Sequence, residues 1–382
     1  MERTLAERLI SYDTSRPEGL AQAAGFVKGW LQSRDVDAND HDHMGLPVIT
    51  AEVGPAGAAD VPCVILHGHL DVVPAHEEQF TPRIEGDRLI GRGAYDMKGG
   101  LAAMMCALVD ATQQSRVHVR FLCSPDEESE EVDSRSTDVL VGNGYRGDFA
   151  ITGEPTDLHI GVQAKGVLAM RIVVGGTSAH SSTPWLGDNA VLKAVDVFRA
   201  IETLPFSRES SELFDRPSIN LGRMRAGDAL NMVPDSATMD VDVRFLPGQD
   251  PDEILDQVAA IADVQVTRTF LREPAMVSRD NEFVQALAEA VRGSNANEVM
   301  SVGRDGASDA IAFLDAGIPA VEFGPAGAGH HGPQEWVSIA SLARYRRALG
   351  DFVLQLPERL DWHGAAGADT PPQLRAIGGG AA

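Results

Sequence analysis

The chain has 382 residues, of which 43% are hydrophobic and 23% are charged, a composition typical of a folded globular protein. This length is sufficient for two domains. The formal net charge of −24 argues against nucleic acid or an anionic membrane surface as a partner. The sequence holds no apolar run near the ~20 residues that a membrane-spanning helix needs, and its start lacks the pattern of a signal peptide.

The cysteine pattern indicates reduced thiols. Cys63, Cys106 and Cys123 lie in apolar stretches, and none stands in the CxxC spacing of a thiolate zinc site. We therefore expect core thiols in a cytoplasmic protein.

Helix and strand patterns alternate through the first half of the chain, which favours an α/β fold with a mainly parallel central sheet. Two helices are expected within residues 1–35, and a further helix follows Gly100. Strands are expected at 48–53, 61–66, 117–123 and 148–152. His41 and His43 flank a polar loop, where we expect them to be exposed to solvent.

The pattern changes at about residue 165, where an alternating strand opens a β-α-β-β-α-β series that ends near residue 274. This order predicts a ferredoxin-like domain at 165–274, inserted between the 1–164 and 275–362 parts of a larger α/β domain. Residues 363–382 are rich in Gly, Ala and Pro, which predicts a disordered tail.

Three predicted strands end in groups that can bind metals. His69 and Asp71 follow the first, the pair Glu127 and Glu128 follows the second, and Glu154 follows the third. Carboxyl ends of strands are where open α/β sheets bind ligands, so we expect these groups to converge. Spacing of i, i+2 suits an imidazole ligand whose ring is oriented by a carboxylate. Adjacent glutamates point apart in an extended segment, so one can bind metal while the other acts as a base.

Two further segments complete the candidate site. Asp96 and Lys98 lie between glycines at 91–100, a setting typical of backbone close to a ligand. Lys98 is either a surface residue at a helix start or a functional one, and the glycines favour function. One of His330 and His331 supplies a second imidazole, and the residues alone leave both open.

Taken together, these motifs resemble the M20 family of metallopeptidases and amidohydrolases, which includes acetylornithine deacetylase, succinyl-diaminopimelate desuccinylase, aminoacylase and carboxypeptidase G. The resemblance covers nearly the whole chain apart from the tail. The matching motifs lie at 68–74, 91–100, 126–128, 153–155, 179–190, 231–234 and 331–335.

The resemblance implies a zinc-peptidase-like catalytic domain that holds two Zn²⁺ ions, with Co²⁺ or Mn²⁺ as substitutes. It also implies that the inserted domain serves as a lid and dimerisation domain in a homodimer. One ion would be held by His69, Asp96 and Glu154, and the other by Asp96, Glu128 and His331, with Asp96 bridging. Asp71 would orient His69, and Glu127 would be the general base. His331 is preferred to His330 because its spacing to Glu335 matches the family.

The resemblance also implies three roles in the inserted domain. His180 would stabilise the oxyanion, from the partner subunit in dimeric relatives, although the residues alone favour a turn-capping role. Asn231 and Arg244 would bind a substrate carboxylate, the alternative for Arg244 being a surface charge on a strand.

Two departures bear on the substrate. Lys165 stands where desuccinylases carry Arg, and residues 306–309 read Gly-Ala-Ser-Asp rather than Gly-Thr-Ser-Asp. Arg304 either compensates as a carboxylate binder or is a surface residue. We therefore predict a deacylase acting on a small N-acyl amino acid, with a dipeptidase, a carboxypeptidase or a desuccinylase as alternatives. An inactive amino-acid-binding relative is disfavoured, because Glu127 and all five metal positions are present.

Overall fold

The computed structural model describes residues 1–56, 61–128, 134–294, 300–306 and 308–360, so the expected tail at 363–382 lies outside it. The helices in these residues are α1 (Glu2–Ile10), α2 (Pro17–Gln32), α3 (Lys98–Ala111), α4 (Ser136–Gly142), α5 (Ala190–Ile201), α6 (Pro251–Ala259), α7 (Glu282–Ser294), α8 (Ala310–Asp315) and α9 (Ile339–Arg359). The strands are β1 (Asp37–His43), β2 (Leu46–Val53), β3 (Cys63–His69), β4 (Arg83–Glu85), β5 (Arg88–Ile90), β6 (His118–Ser124), β7 (Phe149–Thr152), β8 (Ile160–Ala164), β9 (Gly166–Gly175), β10 (Ser218–Ala226), β11 (Ser236–Phe245), β12 (Val264–Arg272), β13 (Ala275–Met276), β14 (Ser301–Arg304), β15 (Ala320–Glu322), β16 (Gly327–Ala328) and β17 (Trp336–Ser338).

The large sheet confirms the expected α/β class and has the strand order β1-β2-β6-β3-β7-β15-β8-β13, with β14 also paired to β8. Strands β6, β3, β7 and β15 run parallel to one another. The outer strands pair antiparallel, so the sheet is mixed and only its four central strands match the expected parallel arrangement. The antiparallel pairing of β1 with β2 has a local cause. These strands are joined by Met44 and Gly45, both with positive φ, and a two-residue turn can join only antiparallel strands.

The central strands are buried on both faces, as parallel strands usually are. Helix α3 is apolar on all sides because it is enclosed by the sheet and by α1 and α9. Helices α4 and α8 pack against the sheet through an apolar cluster that includes Leu140, Phe313, Ile65 and Leu122. The cluster includes residues of β3, β6 and β7, the strands whose carboxyl ends lie near the predicted ligands.

Two expectations about polar side chains are settled by burial. His43 is only 4% exposed on β1, and its Nε2 lies 2.9 Å from the Ser134 carbonyl oxygen, so the expected exposure is wrong. His41 is half-buried beside the Thr50 hydroxyl. Lys98 is fully buried and its Nζ donates to the Tyr12 carbonyl at 2.8 Å, which excludes a surface role.

The chain divides into two compact units. Unit 1 comprises Met1–Val162, Val277–Ser301 and Asp309–Ala382, and unit 2 comprises Gln163–Met276 and Val302–Ser308. The predicted insertion at 165–274 lies within unit 2. None of the helices in the described ranges is both long and apolar enough to cross a membrane.

Unit 2 contains the predicted β-α-β-β-α-β series, formed by β9, α5, β10, β11, α6 and β12. Its four strands form an antiparallel sheet in the order β10-β11-β9-β12. Strand β11 alternates buried and half-buried residues, because one sheet face packs against the helices. Met170, Ile172, Val197 and Ile254 belong to the core of this unit.

Candidate metal centre

The parallel order of the central strands brings three predicted ligand segments of unit 1 to one sheet edge. In the register between β3 and β6, His69 is opposite Ser124, the residue that ends β6 before Glu127 and Glu128. Strand β7 lies on the other side of β3 and ends two residues before Glu154. Because the strands are parallel, their carboxyl ends meet at this edge.

The fourth segment precedes helix α3 and supplies Asp96. The start of α3 comes very close to the segment that carries Glu154: a Cβ at Gly100 would lie 2.7 Å from the Gly153 carbonyl oxygen. Only glycine allows this approach without displacing backbone, so the glycine motif at 99–100 is explained by packing. The Asp96–Met97 peptide bond is cis.

One group of possible ligands consists of His69, Asp96 and Glu154. The Nε2 atom of His69 lies 3.0 Å from Asp96 Oδ1 and 3.4 Å from Glu154 Oε1. His69 is fully buried and Asp96 is 5% exposed. The three ligand atoms lie close enough together to hold one metal ion.

The other oxygen of Asp96 faces the second predicted group. His331 Nε2 lies 3.2 Å from Asp96 Oδ2 and 3.0 Å from Glu128 Oε1. His330 Nε2 is also hydrogen-bonded to Asp96 Oδ2. Asp96, His330 and His331 lie close enough together to hold one ion, and the contact with Glu128 is made by His331. The choice of His331 over His330 stays a prediction.

Asp71 lies beside His69, and its oxygen atoms contact two different segments of the site. His69 Nδ1 is 3.0 Å from the Asp71 carbonyl oxygen and 3.4 Å from its carboxylate Oδ1. The other carboxylate oxygen accepts the Glu128 backbone N–H at 2.7 Å. Asp71 therefore contacts both a predicted ligand side chain and the backbone of another.

Glu127 lies in an ion-pair network that the sequence analysis did not find. Arg135 Nη1 donates to Glu127 Oε1 at 2.9 Å and to Asp309 Oδ1 at 2.7 Å. Asp309 is almost fully buried, and its Oδ2 is 3.9 Å from His67 Nε2. Arg135 and Asp309 are 174 positions apart in the chain, which explains why no local pattern signalled this contact.

The titration behaviour of the centre reflects dense negative charge in a buried place. Burial and the neighbouring charge of Asp96 raise the pKa of Glu154 to about 7. Burial, followed by the charge of Asp309, holds the pKa of Glu127 well above its ordinary value. Burial also disfavours the ionised form of Asp96, but hydrogen bonds from His330, His331 and His69 hold the pKa of Asp96 well below its ordinary value.

The donor set fits divalent metal ions. Imidazole nitrogens and carboxylate oxygens are the ligands that zinc takes in catalytic sites. Hydrogen bonds to Asp96 and Glu128 raise the pKa of His331 to about 10, because these carboxylates favour a positive charge beside them. A bound cation would supply that charge, and metal binding requires the neutral form of the imidazole.

The remaining predicted site residues belong to unit 2. His180 is exposed, and its Nδ1 accepts the Ser182 hydroxyl at 2.8 Å and the Ser182 backbone N–H at 3.1 Å. The neighbouring Ser181 N–H donates to the Asn231 carbonyl at 3.0 Å, so the structure brings His180 and Asn231 together. The Nε of Arg244 is 3.0 Å from Asp242 Oδ2, and the Arg244 side chain is about one third exposed.

Lys165 and Arg304 are neighbours in space, since the Lys165 backbone N–H donates to the Arg304 carbonyl at 3.1 Å. Lys165 is 4% exposed, and its Nζ lies 2.7 Å from both the Arg216 carbonyl oxygen and Asp305 Oδ1. The charge of Lys165 is thus paired within unit 2, and Arg304 on β14 is half-buried.

This fold and site define a metal-dependent hydrolase, and comparison with known proteins identifies the family. The model of peptidase family M20/M25/M40 matches residues 65–355, and the chain belongs to that family. The predicted family and hydrolase class are confirmed.

Two relatives of this chain carry different descriptions. A succinyl-diaminopimelate desuccinylase of Leptothrix cholodnii is 28% identical over 375 residues, covering 91% of this chain and 97% of the relative. An Aspergillus terreus protein described as a "Probable carboxypeptidase" is 36% identical over 251 residues, which cover 62% of this chain and 56% of that protein.

Solved structures show the same fold at lower identity. The M20 metallo-carboxypeptidase Sso-CP2 of Sulfolobus solfataricus has a TM-score of 0.74 and 21% identity, covering 94% of this chain and 99% of that one. The Bacillus subtilis YXEP protein, titled a dinuclear metal binding peptidase of the M20 family, has a TM-score of 0.66 and 17% identity with the same coverage.

Proposed function

We propose that this protein hydrolyses the amide bond of an N-acyl amino acid and uses two zinc ions to do so. The observation that carries the proposal is the position of Asp96. Its Oδ1 faces His69 and its Oδ2 faces His331, so one carboxylate is shared by two groups of ligands. A carboxylate placed in this way can bridge two metal ions, and two-metal sites are common in hydrolases.

Each ligand group has a place in this scheme. His69, Asp96 and Glu154 would hold one ion, and Asp96, Glu128 and His331 would hold the other. When bound, the two ions polarise the substrate carbonyl and lower the pKa of a bound water from about 16 to about 7. Asp71 would orient His69, because its carbonyl oxygen lies 3.0 Å from His69 Nδ1 and its carboxylate Oδ1 lies 3.4 Å from the same atom.

Glu127 would carry the proton. Its side chain accepts a hydrogen bond from Arg135 and lies close to His69 and Glu128, which is the position that a base beside the proposed metal ligands requires. Glu127 takes a proton from the attacking water and delivers it to the leaving amine, and its raised pKa suits both steps.

The direct test is Glu127→Ala. We expect hydrolysis to fall by at least about 100-fold, the usual contribution of a general base, while two zinc ions remain bound per chain. Metal content is measured by atomic emission and hydrolysis by release of free amine. Glu85→Ala, which removes an exposed carboxylate, serves as the control and should keep full activity. Hydrolysis that survives Glu127→Ala would refute the role of Glu127.

The substrate is tested by a screen of N-acetyl and N-succinyl amino acids and dipeptides. Lys165 stands where desuccinylases carry an arginine, and its charge is paired with Asp305. These two observations favour an N-acyl-amino-acid deacylase. The names of relatives keep desuccinylase and carboxypeptidase as the alternatives. A kcat/KM for N-succinyl substrates or dipeptides far above that for N-acetyl amino acids would replace the deacylase assignment. Arg244→Lys should raise KM for the preferred substrate, because lysine loses bidentate contact with a carboxylate.

The protein would act as a homodimer in which unit 2 provides the interface. Leu192 and Val195 on α5 are 65% and 44% exposed at i, i+3 spacing, and Trp185 is 75% exposed just before that helix. Such an apolar surface suits contact with a second copy. Leu192→Glu should convert the dimer to a monomer in light scattering, whereas Leu354→Glu, at an exposed leucine of α9, should not.

The role of His180 across the dimer has its own test. His180→Ala and Glu127→Ala are each expected to be nearly inactive, but a mixed dimer contains one site with both residues intact if His180 acts on the partner's centre. Mixing the two variants should then restore up to about a quarter of wild-type activity. No recovery after subunit exchange would contradict this arrangement.

The three free thiols support a cytoplasmic location.

A further inference from the structure

A buried ion pair lies behind the candidate metal centre and contacts two of its segments. Arg92 Nη1 is 2.6 Å from Glu335 Oε2, and the two side chains are 4% and 1% exposed. The pair joins residues 243 positions apart in the chain. Removing two charges from water is costly, and the cost is offset only when the remaining polar atoms are also hydrogen-bonded.

Two of those remaining atoms, Glu335 Oε1 and Arg92 Nη2, bind the backbone of the metal-ligand segments, whereas Arg92 Nε has no hydrogen-bond partner among the described residues. Glu335 Oε1 accepts the backbone N–H groups of Tyr95 at 2.9 Å and Asp96 at 3.1 Å. Arg92 Nη2 donates to the His331 carbonyl at 2.9 Å. The pair is therefore a continuous hydrogen-bonded connection between the Asp96 backbone and the His331 backbone.

His331 needs such support because of its conformation. Its φ is +56°, in the left-handed region that non-glycine residues rarely occupy, and its side chain is 46% exposed. A strained and exposed residue is held in place only by its surroundings. The hydrogen bond from the buried Arg92 side chain to the His331 carbonyl is one such contact.

We propose that Arg92 and Glu335 are positioning residues that set the distance between Asp96 and His331, and thereby the affinity of the metal position these two ligands share. Neither side chain binds the ion or touches substrate in this assignment. It rests on the proposed function, because it takes Asp96 and His331 as ligands.

The test measures metal affinity rather than turnover. Apo wild-type protein is titrated with Zn²⁺ by calorimetry, alongside Arg92→Lys and Glu335→Gln. Lysine keeps the charge but cannot reach Glu335 and the His331 carbonyl together, and glutamine keeps the size but removes the ion pair. We expect the zinc affinity of one position to fall about 10- to 100-fold in each variant, with the other changed far less. The Co²⁺-loaded variants should also show an altered visible absorption spectrum.

The matched control is Arg346→Gln, which breaks ion pairs to Glu2 and Asp110 in the same unit, away from the ligand segments. It should leave both zinc affinities within about twofold of wild type. Circular dichroism establishes that each variant is folded. If Glu335→Gln does not fold, Arg92→Lys decides the question.

The outcomes separate the two proposals. A wild-type protein that binds fewer than two ions would refute the metal set of the proposed function. A wild-type protein that binds two ions, with both variants folded and binding them equally well, would overturn the positioning assignment alone. Variants that stay unfolded even with zinc would show that the pair serves folding and would also overturn it.

Discussion

Burial of the Lys98 side chain at the start of α3 lowers the stability of the protein, and Lys98→Met should remove this cost. The Lys98 side chain is fully buried, and burial lowers its pKa from 10.5 to about 7. The unfolded chain holds this proton up to about pH 10.5, whereas the folded chain releases it above about pH 7. Between these values the unfolded state binds more protons, so the stability of the wild type rises with pH.

The magnitude follows from the size of this shift. Each pH unit in the window is worth about 1.4 kcal/mol, so the full window of roughly 3.5 units is worth at most about 5 kcal/mol. Methionine has a similar length and no charge to desolvate. The lost hydrogen bond offsets about 1 kcal/mol, but the Tyr12 carbonyl still accepts the Thr14 N–H at 3.0 Å. We therefore expect Lys98→Met to be several kcal/mol more stable than wild type at pH 7.

Urea unfolding of the apo protein, followed by tryptophan fluorescence from pH 7.5 to 9.5, measures this difference. Over that range the wild type should gain about 2 to 3 kcal/mol relative to Lys98→Met. Lys193→Met is the control, because Lys193 lies at the surface beside Asp188, which raises its pKa, so its difference from wild type should stay flat. A stability difference for Lys98→Met that does not change with pH would refute the reasoning.

Three further predictions concern single contacts. Tyr345→Phe should raise the free energy of unfolding by about 1 kcal/mol, measured by calorimetry, because the buried Tyr345 hydroxyl has no hydrogen-bond partner within the described part of the chain. Asn189→Ala should cost about 1 kcal/mol in urea unfolding, since the Asn189 side chain caps α5 by accepting two backbone N–H groups; a loss below about 0.3 kcal/mol would contradict this. Burial lowers the pKa of His67 to about 4, so the wild type loses stability as the pH falls from about 6.5 to 4, and His67→Gln should lose about 3 kcal/mol less over that range; parallel acid unfolding curves would contradict the assignment.

The sequence alone determined the parts of this protein that depend on local pattern. Strand and helix periodicity predicted β3, β6, β7 and α3, and the residues that end or follow those strands supplied the ligand candidates His69, Glu128 and Glu154. These predictions succeed because alternation, glycine and chain order are read within a few residues. The carboxyl ends of parallel neighbouring strands must then meet at one edge.

Tertiary structure alone decided which side chains hold that edge together. Arg135 contacts Asp309 across 174 residues, and Arg92 contacts Glu335 across 243. It also decided that Lys98 and His43 are buried, although each stands in a polar or glycine-rich stretch. No local period encodes such contacts, because they arise when segments distant in the chain pack closely and leave each buried charge to find its partner.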